Sequence, residues 1–426
     1  MSTSNKTYKL CVHNAAQLVT VCSQGERMKR GKAMDEVAIV ENGTVVIGHD
    51  GRVAYAGPAA DAPATATDAD MVVNAAGKCV LPGFVDGHTH PVWSGSRVHE
   101  FAMKLAGATY MDIHKMGGGI GFTVQHTRAS SEEELQKLLQ GRLDRMVRAG
   151  TTCVEAKSGY GLETATEMKM LKVLHRASKS HPITICSTYL GAHSVPKGTP
   201  VADYTKNIVE EQLPELKRLM DAGEIAPTAI DVFFEKGVFE REDTTRILQA
   251  GKQLGLLLNF HGDELNFVGA GELGGELGAR AISHLEEVSD AGIAAMAQRE
   301  VFGTLLPTTA YVLRIKPPPA RKLIDGNVPV ALGSDFNPNA HCLAMPFVMN
   351  LACVTMRMTM NESLVAATIN AAGSLGVAQD HGSIEVGKLG NLVLIDAPRW
   401  EHVVYELYDP PIETVFIKGQ VAHSRA

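Results

Sequence analysis

The sequence predicts an α/β protein built on a (β/α)8 TIM-like barrel, with short β-rich stretches at both chain ends. Three observations predict it. Eight short apolar runs fall between residues 83 and 332, helix-like stretches separate several of them, and glycine-punctuated alternating runs are confined to the ends.

The chain has 426 residues, ample for one large domain and a smaller one. At the N-terminal end, runs at 36–40, 44–47 and 52–56 are separated by Asn42-Gly43 and Asp50-Gly51, dipeptides that favour hairpin turns. The segment 59–68 reads as a small-residue loop. The barrel runs follow at 83–86, 152–156, 183–190, 230–234, 256–260, 281–283, 302–306 and 328–332. Helical patterns occupy 131–148, 164–178 and 241–254, and the charged stretch 207–224 reads as a solvated outer helix. Met345, Met349, Met356, Met358 and Met360 suit a buried helix face, and Trp93 a packed loop. Runs at 391–395, 401–405 and 415–417 repeat the β flavour of the start. A doubly wound sheet is the competing fold, but no GxGxxG opens a helix after the first strand.

Composition narrows the function. Hydrophobic residues make up 45% and charged residues 20%, as in ordinary globular proteins. A net charge of −7 without a basic run argues against nucleic-acid binding. No apolar run approaches the ~18 residues of a membrane span, and no secretory signal is evident at the start. The cysteines, seven and dispersed without a CxxC, fit a reducing compartment. A cytoplasmic protein with a small-molecule partner, and no nucleic-acid or membrane partner, is expected.

Barrel enzymes place their chemistry at the C-terminal ends of the strands. The first run ends in Asp86-Gly87-His88-Thr89-His90, and two histidines at i and i+2 on an extended chain point the same way. The fifth ends near His261, with Glu264 three residues on. The sixth ends at His284 and the eighth at Asp335. Each has a structural account: a core histidine, a helix cap, an Asx turn before Pro338. Together they form a set suited to one metal ion, with His88, His90, His261 and Asp335 as ligands. Such an ion makes water nucleophilic near neutral pH. Glu264 is then the candidate proton carrier, and His284 the group that stabilises a developing oxyanion.

VLPGFVDGHTH (80–90) resembles the first-strand signature of the amidohydrolase superfamily, and DGRVAYAG (50–57) and GSIEVGKLGNLVLID (382–396) resemble its flanking β signatures. Asn391 stands where the superfamily usually has Asp. The resemblance implies a small composite β-sandwich formed by both termini, dividing the chain into 1–82, 83–381 and 382–426. PVWSGSRVHEF (91–101), LAGATYMDI (105–113), GGGIGFTV (117–124), AKSGYGL (156–162), YLGAHSVP (189–196), NFHGDE (259–264), ISHLEE (282–287) and GSDFNPN (333–339) are similar, in order, to the imidazolonepropionase family, in wording closer to animal-type than bacterial members.

That resemblance implies hydrolysis of the ring amide of 4-imidazolone-5-propanoate to N-formimidoyl-L-glutamate, in histidine degradation. It implies one divalent or trivalent ion per subunit, Zn or Fe, and a homodimer. His88, His90, His261 and Asp335 would bind the ion. Arg97, Tyr110, Tyr160, His193, Glu264 and Asn337 would contact substrate, and Glu264, His284 and Asp335 would be catalytic. Arg97 and Tyr160 suit the substrate's carboxylate tail. Many bacterial members carry Gly-Thr or Gly-Ser where this chain has Asn339-Ala340, so a hydroxyl contact there is lost. Two-metal relatives use a modified lysine at the end of strand four. Here that strand ends Phe234-Glu235-Lys236, and one metal is expected unless Lys236 points inward. The rival functions are another one-metal amidohydrolase or an aminohydrolase acting on a purine or pyrimidine, and an inactive barrel scaffold.

Overall fold

The computed structural model describes residues 6–107 and 118–425. Tyr110 lies outside the described residues.

Eight parallel strands form the barrel: β6 (Phe84–Asp86), β7 (Thr151–Lys157), β8 (Thr184–Ala192), β9 (Ala229–Phe234), β10 (Leu257–Gly262), β11 (Ala281–His284), β12 (Phe302–Leu305) and β13 (Val330–Leu332). They pair in sequence order from β6 to β13. All eight coincide with the apolar runs of the sequence. Both faces of these strands are covered, so buried residues run continuously rather than alternating.

The last gap, between β13 and β6, closes just beyond the strand ends. Gly87 N donates to Leu332 O at 3.2 Å, Asp335 N to His88 O at 3.0 Å, and His90 N to Phe336 O at 2.9 Å. Two glycines permit this approach. A Cβ at Gly87 would lie 2.9 Å from Leu332 O, and one at Gly333 would lie 2.7 Å from His88 Cβ and 2.8 Å from His88 N. Gly333→Ala should therefore lower the unfolding free energy by about 1–3 kcal/mol, the range for overpacking, read as a lower denaturant midpoint.

Helices cover the outside for reasons written in their sequence. In Glu132–Arg148, Leu135, Leu139, Leu143 and Met146 recur on one face and are buried against the barrel. Each contributes about 1.5–3 kcal/mol of apolar burial. The Ser131 hydroxyl caps the start by accepting from Glu134 N at 3.2 Å. Glu132–Glu134 in the first turn and Arg145 and Arg148 in the last complement the helix dipole. The 207–224 region is less solvated than its charge suggests. A π-helical turn, Ile208–Gln212, leads into the helix Leu213–Asp221, and Ile208, Leu213, Leu216 and Leu219 are buried.

The chain ends build a second sheet. β1 (Tyr8–Val21), β2 (Ala38–Ile47), β3 (Val53–Pro58), β4 (Ala69–Asn74) and β5 (Cys79–Pro82) come from the start, and β14 (Leu392–Ile395), β15 (Ile412–Ile417) and β16 (Gln420–Ser424) from the end. The two groups join through antiparallel β5 and β14. The long β1 pairs β2 on one edge, and β4 then β5 on the other. Asp50-Gly51 makes the expected hairpin turn, with Gly51 at φ +79°. Asn42-Gly43 does not. It lies inside β2, where Asn42 takes φ +49° and a Cβ at Gly43 would meet Leu18 Cβ at 2.4 Å, so this glycine serves close strand packing. The 401–405 run contains a helical turn, His402–Tyr405, in which Val403 and Val404 are buried.

Candidate active site

The strand ends bring the expected residues to one rim. His88 and His90 follow β6, His193 follows β8, His261 lies near the end of β10, Glu264 lies just beyond it, His284 ends β11 and Asp335 follows β13. A single pocket is lined by His90, Arg97, Tyr160, His193, His261, Glu264, His284, Asp335 and Asn337, together with Phe233 and Thr309. Asp263, His284 and Asp335, all at this rim, take φ of +53°, +79° and +47°, values uncommon for non-glycine residues.

Donor atoms of four residues gather here: those of His88, His90 and Asp335 lie within 4.8 Å of one another, and His261 Nε2 reaches His90. His88 Nε2 lies 3.2 Å from His90 Nε2, which lies 3.4 Å from His261 Nε2. Asp335 Oδ1 is 3.5 Å from His88 Nε2 and 3.4 Å from His90 Nε2. Ligand bonds of about 2.0–2.1 Å in a tetrahedral site put neighbouring donors about 3.3–3.4 Å apart, so these spacings fit a metal ion. Two of the three rings engage their other nitrogen, while His90 Nδ1 is buried without a hydrogen-bond partner among the described residues. His261 Nδ1 donates to Asp231 Oδ1 at 2.8 Å, and His88 Nδ1 is 2.8 Å from Ser283 Oγ. Burial holds His90 and His261 down to about 4, so both rings are neutral at pH 7 and offer lone pairs. With His261 protonated on Nδ1, its Nε2 lone pair faces His90 and is available to a cation. The donor set therefore fits a metal ion. The Thr309 hydroxyl donates to the other Asp335 oxygen and fixes that carboxylate. Lys236 is exposed and contributes nothing to this cluster.

Glu264 and His284 sit side by side, with Nε2 to Oε2 at 3.5 Å. Burial pushes the Glu264 carboxyl up to about 7 against the pull of His284. Burial opposes a charge on His284, yet Glu264 and Glu286 outweigh it and carry the ring up to about 10. His284 Nδ1 is 3.6 Å from the buried Glu286. The two groups can thus share and hand over a proton.

At the other side of the pocket, Arg97 is buried and bonds Glu100 Oε2 through Nε at 2.8 Å and Nη2 at 2.8 Å. Glu100 in turn accepts from Gly119 N at 2.8 Å. Tyr160 is buried, its ring 5.1 Å from that of His193. His193 stacks on His90 at 4.8 Å and donates from Nδ1 to Gly159 O at 2.9 Å, which leaves Nε2 as its acceptor. Asn337 does what a turn-capping residue does: Oδ1 accepts from Asn339 N at 2.7 Å and Ala340 N at 3.0 Å, and Nδ2 donates to Asp335 O at 2.7 Å. Asn339 lines the pocket, and its Oδ1 accepts from Lys104.

The sequence reading missed the supports. Asp86 accepts from Ser334 N at 2.8 Å and Ser334 Oγ at 2.5 Å, and so ties the first strand to the last. Glu155, Lys157 and Asp231 are fully buried beside the ligands. Part of the signal was present, since Glu155 and Asp231 are charges inside otherwise apolar strand runs and Lys157 directly follows one.

The chain belongs to the amidohydrolase family, whose sequence profile matches residues 79–422. Within it, the chain is similar to proteins named probable imidazolonepropionase. It is 57% identical over 425 residues to that of Danio rerio, covering 99% of this chain and 98% of the relative. It is 60% identical over 420 residues to that of Dictyostelium discoideum, covering 98% of each. With that of Homo sapiens it shares 55% over 420 residues, 98% of this chain and 99% of the relative. Solved structures agree on the fold. An adenosine deaminase from Xanthomonas campestris with bound zinc superposes with a TM-score of 0.68 at 19% identity, covering 98% and 93% of the two chains. The zinc complex of an atrazine chlorohydrolase from Arthrobacter aurescens gives 0.73 at 14%, covering 97% and 94%.

Proposed function

We propose that the protein is an imidazolonepropionase, hydrolysing the ring C–N amide bond of 4-imidazolone-5-propanoate to N-formimidoyl-L-glutamate in histidine degradation. The observation that carries this is the gathering of four neutral or anionic donors beside the Glu264–His284 pair, in a pocket that a buried arginine also lines.

His88, His90, His261 and Asp335 would hold one ion per subunit, Zn or Fe, and the exposure of Lys236 supports a single-metal site. When bound, the ion supplies Lewis acidity that makes water a nucleophile at neutral pH. Glu264 accepts the proton of the attacking water and delivers it to the ring nitrogen that leaves. His284 donates to the oxygen that gains charge as the carbonyl carbon becomes tetrahedral. Arg97 and Tyr160 hold the propionate, and His193 Nε2 accepts from a ring N–H. Tyr110 and Asn337 are the remaining substrate contacts, Asn337 by way of the loop it caps. Phe233 covers one wall and limits water. The terminal segments 1–82 and 382–426 act as one supporting unit for the 83–381 barrel.

All seven cysteines are unpaired thiols, and no helix among the described residues is long and apolar enough to cross a membrane. Both support assignment to the cytoplasm. A homodimer follows from the family resemblance.

Arg97→Ala tests the substrate. Charge-assisted hydrogen bonds contribute about 1.5–3 kcal/mol, so KM for imidazolone propionate should rise about 10–100-fold with a smaller change in kcat. An unchanged KM points instead to a neutral purine or pyrimidine ring.

A further inference from the structure

Lys157 ends β7 and is 1% exposed. Its ammonium lies 2.5 Å from Glu155 Oε1 and 2.8 Å from Asp231 Oδ2. Three ionisable groups are thus buried inside the barrel, an arrangement that apolar side chains of similar volume often match or exceed in stability. Stability alone does not explain them. What they do is visible in the atoms that each carboxylate has left over.

Asp231 turns its other oxygen, Oδ1, to His261 Nδ1 at 2.8 Å. Glu155 turns Oε2 to Thr89 N at 3.1 Å, and its backbone carbonyl accepts from Thr89 Oγ1 at 2.5 Å. Lys157 N donates to Thr89 O at 3.1 Å. Thr89 stands between His88 and His90, and β7 grips it at every polar atom. One ammonium therefore joins the segment carrying two of the histidines to the carboxylate that orients the third.

We propose that Lys157 is a positioning residue that, by bridging Glu155 and Asp231, locks the His88-Thr89-His90 segment and the His261 ring in mutual register so that their donors meet at one ion. It rests on the reading of His88, His90, His261 and Asp335 as ligands of that ion. Without the bridge, Asp231 is free to rotate away from His261, and Glu155 no longer fixes Thr89. The ligands remain, but the ion is held less tightly. Outer hydrogen-bond partners of ligating histidines commonly change metal affinity by about 10–100-fold.

The experiment is competition for zinc between the full-length protein and a chromophoric chelator, alongside far-ultraviolet circular dichroism. The variant is Lys157→Met with Glu155→Gln, which avoids stranding two buried carboxylates. The expected result is zinc affinity weaker by about 10–100-fold, with wild-type secondary structure. Wild-type affinity in the folded double variant overturns the inference and leaves the ligand reading intact. A wild-type protein that binds no ion overturns the ligand reading and the inference with it. Should the double variant not fold, Glu155→Gln alone decides: weaker zinc binding supports the inference, and unchanged binding overturns it.

Discussion

Glu264→Gln should lower kcat by about 10²–10⁴-fold, the usual contribution of a positioned acid–base group. KM and metal content should stay close to wild type, because Glu264 is not among the four converging donors. The substitution keeps size and hydrogen-bonding capacity and removes only the ability to take up and release a proton. The surroundings are built for that exchange. Glu264 is half-buried, lies 3.5 Å from His284 Nε2, and its carboxyl is pushed up to about 7 by desolvation. Asp263 fixes the loop that carries it, accepting from Val268 N at 2.7 Å, Gly269 N at 3.0 Å and Ala270 N at 3.1 Å. Steady-state kinetics with metal analysis on the same preparation checks the prediction. A kcat within threefold of wild type at equal metal content contradicts it.

Asp335→Ala should have the larger effect, through loss of the ion. Asp335 Oδ1 stands within 3.5 Å of two histidine Nε2 atoms and is the only carboxylate oxygen that does so among the described residues. Its removal leaves three neutral imidazoles with no anion to balance a divalent charge. Lewis-acid assistance is worth several kcal/mol, so turnover should fall by at least about 10³-fold. Metal per subunit should fall in parallel, and added zinc should restore little. The fold should persist, because Asp86 with Ser334 and the backbone bonds around His88 close the barrel seam without the Asp335 side chain. A variant with full metal content and full activity contradicts the assignment.

The barrel was legible because its signal is local. Eight buried parallel strands are eight apolar runs, and each strand appears where its run is. The terminal sheet was less so. A turn dipeptide such as Asn42-Gly43 has two uses, a hairpin or close packing against a paired strand, and only the position of Leu18 decides between them. Likewise Val403 and Val404 read as β residues until the neighbouring core claims both. In the site, the ligands could be found because they sit at strand ends in short motifs. The Glu155–Lys157–Asp231 bridge could not. Lys157 and Asp231 are 74 residues apart along the chain, and β7 and β9 come together only by both pairing with β8 in the folded sheet. Arg97 pairs locally with Glu100 at i,i+3, and what the sequence does not show is that this pair is buried on the pocket wall.

The central claim is that one ion among His88, His90, His261 and Asp335 serves hydrolysis of an imidazolone ring bearing a propionate tail. The direct measurement is turnover of 4-imidazolone-5-propanoate, followed as loss of its ultraviolet absorbance, by protein stripped of metal and then titrated with Zn or Fe. The account predicts no turnover in the stripped protein and activity that rises linearly to a plateau at one ion per subunit. Activity that survives stripping, or fully loaded protein that leaves this substrate untouched while hydrolysing another, would contradict it.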